Sequence, residues 1–173
     1  MRIILALIIY LTVAAPSICL ADPSPFGLQI NKATSKDVLD KYSVNKKGTN
    51  KYTNGDMYEL KTSDIEFDGL KEVTVIFDTK NILVAVLTTF YKNKFDDLNN
   101  SLKKKYKLVS QNIPFVGDKY AKYIDGNTEI EISAPHMSFD MNVNYIDKNF
   151  MSIYRAKEKE EQQSKKNKES SQL

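Results

Sequence analysis

Apolar residues recur along this chain at two different spacings. One suits helices and the other suits strands. The helical spacing appears first in "PFGLQINKATSKDVLDKY" (residues 25–42), where Val38, Leu39 and Tyr42 mark the side of a short helix that faces a core. Thr34 followed by Asp37 has the spacing of a capping box, with Asp in place of Glu. Gly27 lets the chain turn in ahead of it. The polar run "SVNKKGTNKYTNGD" that follows reads as a loop.

Strand spacing then takes over. "MYELK" is a short strand. "EVTVIFD" (residues 72–78) sets Val73, Val75 and Phe77 against Thr74 and Ile76, and "DTKN" turns it into "ILVAVLTTF" (residues 82–90). The second of these strands is apolar on both faces at its start, which suits a central strand. Helical spacing returns in "NKFDDLNNSLKKKY": Phe95, Leu98, Leu102 and Tyr106 form one stripe, with Asn93 as the cap. Asp96 and Asp97 in its first turn and Lys103–Lys105 in its last both suit the helix dipole.

"KYAKYI" and "TEIEIS" flank an Asp-Gly turn and read as a hairpin, with Ile130 and Ile132 inward and Glu129 and Glu131 toward water. "FDMNVNYI" places Phe139, Met141, Val143 and Tyr145 on one face. A last helix begins near Lys148 with Phe150, Met151 and Tyr154. The order predicts an α+β fold: short helices packed on one face of an antiparallel sheet, then a C-terminal helix and charged tail. The halves look like two loose helix-plus-meander copies, with too little identity between them to establish a repeat. Residues 22–154 form the domain, and residues 155–173 are a charged helical or disordered tail. The other sheet face is expected to be open, with Tyr52, Tyr58, Tyr120, Tyr123 and Tyr145 supplying aromatic surface for a protein partner.

Composition changes this picture in three places. "MRIILALIIYLTVAAPSICLA" (residues 1–21) has the charged start, apolar middle and small-residue end of a signal peptide, with cleavage after Ala21. Cys19 is the only cysteine and precedes that cleavage, so no disulfide holds the mature chain. The residues before it, Pro16, Ser17 and Ile18, fit a lipoprotein signal poorly. The whole chain carries 25 basic and 22 acidic residues, but residues 22–154 hold 18 of each. The basic balance therefore comes from the two ends, and no clustered positive face suits nucleic acid. "KKKYK" is explained by its place at a helix end.

Candidate chemistry is sparse. His136 is the only histidine and sits in the loop "SAPHMSF", with no thiol nucleophile and no second histidine to form a zinc site. The glycines are dispersed at turns, so no phosphate loop exists. Glu129 and Glu131 share a strand face and are the one obvious carboxylate pair.

"FGLQINKATSKDVLDKY" resembles the opening of small bacterial envelope proteins in which a Gly-Leu/Ile segment, a Thr cap and a short helix precede an antiparallel meander. These include the outer-membrane-assembly lipoprotein family and the β-lactamase-inhibitor-protein-like fold. "LNNSLKKKY", followed by a hairpin with "TEIEIS" and then "NVNYID", is similar to periplasmic proteins of proteobacteria. The resemblance runs over residues 26–154 and implies a unit that works through protein contacts, with no catalytic residue to carry over. The chain departs from it in lacking a good lipoprotein Cys and the paired Cys of such domains. The expectation is an exported, non-catalytic protein-binding module of the bacterial cell envelope, periplasmic or secreted. It has no cofactor, no metal and no nucleic-acid partner, and it meets a membrane only if the leader is retained or lipidated. Two alternatives stand beside it: an inhibitor or immunity-type protein against a secreted enzyme, and a small carboxylate-dependent hydrolase.

Overall fold

A computed structural model describes residues 22–172, so the leader reading of residues 1–21 lies outside the described residues. The helices are α1 (Ser35–Lys41), α2 (Phe95–Lys105) and α3 (Lys148–Ser170). The strands are β1 (Val44–Thr49), β2 (Asp56–Leu60), β3 (Leu70–Phe77), β4 (Leu83–Tyr91), β5 (Lys107–Asn112), β6 (Lys119–Asp125), β7 (Thr128–Ala134) and β8 (Asp140–Asp147). All eight form one antiparallel sheet in the order β1-β2-β3-β4-β8-β7-β6-β5. Each half of the chain is thus a helix followed by a four-stranded meander. The last strands of the two halves, β4 and β8, meet at the centre, with Leu87 opposite Asn144.

The two halves repeat in detail. Both α1 and α2 end on a Lys-Tyr pair, and the tyrosine N–H closes the last turn on Val38 or Leu102 at 2.9 Å. Both outer strands carry a β-bulge one residue past the position that faces a tyrosine: Lys46 opposes Tyr58 ahead of Lys47, and Leu108 opposes Tyr123 ahead of Val109. Such bulges twist an edge away from pairing with another chain.

One face of the sheet is covered by α1 and α2. Val38 of α1 packs on Val73, Val75 and Phe77, and Phe95 and Leu102 of α2 pack with Ile130, Ile132, Met141 and Val143. The capping box at Thr34 and Asp37 forms as expected, with the Asp37 carboxylate accepting from the Thr34 backbone N–H at 2.7 Å. The backbone and side-chain hydrogen bonds from Thr34 hold the Asp37 carboxyl below the usual carboxylate range. Ahead of α1, Phe26 adopts a left-handed backbone (φ 53°), which costs an L-residue roughly 1–2 kcal/mol. The Tyr42 hydroxyl (2.6 Å) and Lys41 ammonium (2.9 Å) both donate to the Phe26 carbonyl and hold it there.

The other face is not wholly open. After β8, α3 folds onto it, and Phe150 and Met151 cover Ile76, Val84, Ala85 and Ile146. A bulge explains the apolar start of β4. Phe77 pairs with Leu83 and Ile76 with Ala85, so Val84 is the extra residue. Leu83 joins the α1 side, while Val84 and Ala85 join the α3 side.

Five local expectations change. Leu39 is exposed rather than part of the buried side of α1. Asn93 does not cap α2; it lies in a 3-10 turn (Lys92–Lys94), and the helix begins after Lys94 with no side-chain cap. The polar run after α1 contains β1, and an unforeseen strand, β5, follows α2 directly. Phe139 precedes β8 and is exposed rather than continuing its inner face. Of the two forms expected for the tail, the helical one is found as far as Ser170, pinned up to Glu161 by Lys51, whose ammonium reaches the Glu161 carboxylate at 2.9 Å.

The Tyr123 hydroxyl donates to Asn99 Oδ1 at 2.7 Å, and both residues are buried between β6 and α2. Tyr123→Phe leaves that acceptor unpaired, and equilibrium urea unfolding is expected to lose about 1–3 kcal/mol. Tyr42→Phe, which spares this core pair, is the comparison variant.

Candidate functional site

The five tyrosines do not form one surface. Tyr58, Tyr123 and Tyr145 lie on the helix-covered face: Tyr58 packs against Phe77 and Tyr145 against Tyr106, while Tyr123 is fully buried. Burial first, then the neighbouring Tyr106 hydroxyl, raises the Tyr145 phenol. Only Tyr52 and Tyr120 lie on the opposite face, and they are far apart in sheet order. Tyr52 is wedged against Phe150 and Tyr154 of α3, at ring distances of 6.1 and 4.9 Å. Tyr120 stands over β7, its phenol pushed up to about 12 by burial and then by Glu131. The expected tyrosine-lined open face is therefore replaced by two separate contacts, because side chains of one strand at odd spacing point to opposite faces.

Glu129 and Glu131 do share a face, but they are not simply solvated. Lys122 Nζ lies 2.5 Å from Glu129 and 3.5 Å from Glu131, and Arg155 of α3 reaches Glu129 at 3.0 Å. Burial works to raise the Glu129 carboxyl, but the Lys122 hydrogen bond and charge outweigh it and hold the group low. A carboxylate held ionised by two cations is a poor proton donor. His136 is exposed in its loop, as its sequence context suggested. Among the described residues, no group of His, Cys, Asp and Glu is arranged to hold a metal ion.

The most unusual surface is one end of the sheet. Because the strands alternate in direction, the β5–β6 loop (113–118) and the β7–β8 loop (135–139) come out at the same end, beside the end of β4. These loops read "IPFVGD" and "PHMSF". Phe115 is 104% exposed, Met137 and Phe139 are each 91% exposed, and Val116 and Tyr91 stand beside them half or more exposed. The loops are braced. Asp118 accepts from the His136 backbone N–H at 2.6 Å, and Lys92 donates to the carbonyls of Pro135 and His136. The Lys92 N–H also bonds the Phe139 carbonyl at 2.8 Å. Three neighbouring lysines pair with carboxylates, Lys71 with Asp140 at 2.6 Å, Lys119 with Asp96 and Lys94 with Asp68, while Lys92 binds only carbonyls.

The internal repeat sharpens this contrast. The first-half counterparts of these loops are the β1–β2 turn (50–55) and the β3–β4 turn (78–82). Both are polar and tied down. Asn50 Oδ1 accepts from the Thr53 N–H at 2.8 Å, and Asp78 Oδ1 accepts from the N–H groups of Lys80 and Ile82. The second half has the same framework but sets bare apolar side chains at the loop tips. Those side chains were present in the sequence as apolar residues inside Pro- and Gly-containing turns, where no core awaits them.

No family model, curated protein or solved structure matches this chain.

Proposed function

We propose that the chain is a non-catalytic protein-binding module that engages its partner with the apolar loops 113–118 and 135–139. The observation that carries this reading is the near-complete exposure of Phe115, Met137 and Phe139 on loops locked to one another. Exposed apolar groups grouped in this way mark interaction surfaces. Bracing also removes ordering cost, which favours insertion into a preformed cleft. The groups that protrude furthest are apolar, which favours a protein groove of matching apolar character. The signal-like pattern of residues 1–21 supports export, and with it a bacterial envelope setting. Protruding rather than concave loops favour, within this class, an inhibitor-like mode in which the loops enter an enzyme's cleft.

The test compares the native chain with Phe115→Ser/Phe139→Ser by crosslinking in the native envelope and mass spectrometry, followed by affinity measurement on the recovered partner. Each aromatic anchor is expected to contribute about 2 kcal/mol or more, so the double variant loses binding by roughly a hundredfold or more while melting as the parent does. Recovery of the same partner at unchanged affinity by the double variant overturns the loop reading. A stable one-to-one complex with a soluble enzyme selects the inhibitor mode, and co-purification with membrane complexes selects an assembly accessory.

A further inference from the structure

The sheet face opposite α1 and α2 carries a cleft of ≈ 530 Å³ that neither the fold nor the loop surface uses. Its floor is Met57, Ile76, Leu87 and Ile146. Its wall is aromatic and joins two elements: Tyr52 of the β1–β2 turn packs against Phe150 and Tyr154 in the first turns of α3. The volume falls in the range of small-molecule sites. Sheet, helix and turn recess it, so the backbone of another protein cannot follow the floor, whereas a small molecule fits beneath the helix.

Polar groups line two edges: Thr49, Asn50 and Lys51 at the β1–β2 turn, and Glu131 and Asn144 on the side facing β7 and β8. Asn144 stands directly across from Leu87 in the β4–β8 pair. Its Oδ1 accepts from the Thr88 backbone N–H at 3.4 Å, which leaves the amide NH₂ to face a ligand. Glu131 Oε1 is engaged by the Tyr120 hydroxyl at 3.4 Å and by Lys122 at 3.5 Å, and Oε2 has no partner among the described residues. Of the cations nearby, Lys51 pairs with Glu161 at 2.9 Å, Arg155 with Glu129 at 3.0 Å and Lys122 with Glu129 and Glu131, while Lys157 bonds the Lys51 and Tyr52 carbonyls.

We propose that this cleft binds an uncharged, largely apolar small molecule bearing one hydroxyl- or amide-type head. The apolar body lies on Met57, Ile76, Leu87 and Ile146, against the aromatic wall of Tyr52, Phe150 and Tyr154. The head accepts a hydrogen bond from Asn144 Nδ2 and donates one to Glu131. A carboxylate head at this edge is disfavoured, because it would face the Glu131 carboxylate.

N-phenyl-1-naphthylamine, an uncharged dye with one N–H donor, brightens in apolar surroundings and is the probe. The mature protein is expected to bind it saturably at one equivalent. 1-Decanol displaces it, and decanoate does so about tenfold less well. Leu87→Trp, which fills the floor, weakens dye binding by about tenfold or more, and Asn144→Leu, which removes the donor to the head, weakens displacement by 1-decanol by about tenfold, in proteins that keep the parent's circular dichroism. Absence of a saturable signal overturns the proposal. So does unchanged dye affinity in folded Leu87→Trp, unchanged decanol displacement in folded Asn144→Leu, or equal displacement by decanol and decanoate.

Discussion

Gly55→Ala is expected to destabilise the domain by roughly 3 kcal/mol or more, a large effect for the addition of one methyl group. A Cβ at this position would lie 1.9 Å from the Phe77 carbonyl oxygen and 2.5 Å from its carbonyl carbon. Both atoms are backbone, so no side chain can swing aside. The β1–β2 turn and the end of β3 would have to separate, and Asn50 ties them together. Its buried side-chain amide donates to the Gly55 carbonyl at 2.9 Å and to the Phe77 carbonyl at 3.1 Å, while its oxygen accepts from Tyr52, Thr53 and the Thr53 hydroxyl. Separation leaves these groups unpaired away from water, at about 1–3 kcal/mol each. Urea unfolding measures the loss. Asn54→Gly in the same turn is the comparison: Asn54 already has φ 58°, a conformation glycine adopts freely, so stability should hold. A Gly55→Ala midpoint close to that of the parent would show that the turn does not depend on this close approach.

Two truncations of α3 should have opposite outcomes. Ending the chain after Glu161 removes only exposed helix and leaves the contacts of Lys51, Tyr52 and Arg155 in place, so the melting temperature should not change. Ending it after Lys148 removes Phe150 and Met151 and returns Ile76, Val84, Ala85 and Ile146 to water. Burial of two such side chains contributes about 1.5–3 kcal/mol each, so the loss is roughly 3–6 kcal/mol, with aggregation of the exposed sheet. The Lys157 ammonium also stops bracing the Lys51 and Tyr52 carbonyls. Thermal melts followed by light scattering separate the two cases. Equal melts for both truncations would mean that α3 is not a structural layer.

Much of this fold is legible in the sequence because a half-buried strand imprints period two. Ile130 and Ile132 against Glu129 and Glu131, and Met141 and Val143 against Asn142 and Asn144, give β7 and β8 directly. The edge strands leave no such trace. In β1 and β5 nearly every side chain is solvated, so only Val44 and Leu108 are partly covered and no alternation marks either strand. The parity of the strand tyrosines is also readable, and it places them on two faces. Tyr145 is in step with Met141 and Val143, which marks it as inward, and Tyr120 and Tyr123 are three apart and must face opposite ways. The placement of α3 on the far face leaves no local signal, since Phe150, Met151 and Tyr154 would form the same helical stripe against either side. The bare loops were written as apolar residues in turns, but their gathering at one end depends on the strand order, which only long-range pairing fixes.

That strand order also governs how the chain finds its structure. Six of the seven strand pairings are hairpin neighbours, closed over short turns. The exception is the seam between β4 and β8, which brings Leu87 to Asn144. Each meander can therefore be nucleated by nearby residues, and one long-range step remains, with α2 as the tether. The entropy of closing such a loop grows only by about 0.6 kcal/mol for each doubling of its length. The topology therefore leaves a single closure between distant strands in an eight-stranded sheet, and every other pairing joins strands that follow one another in the chain.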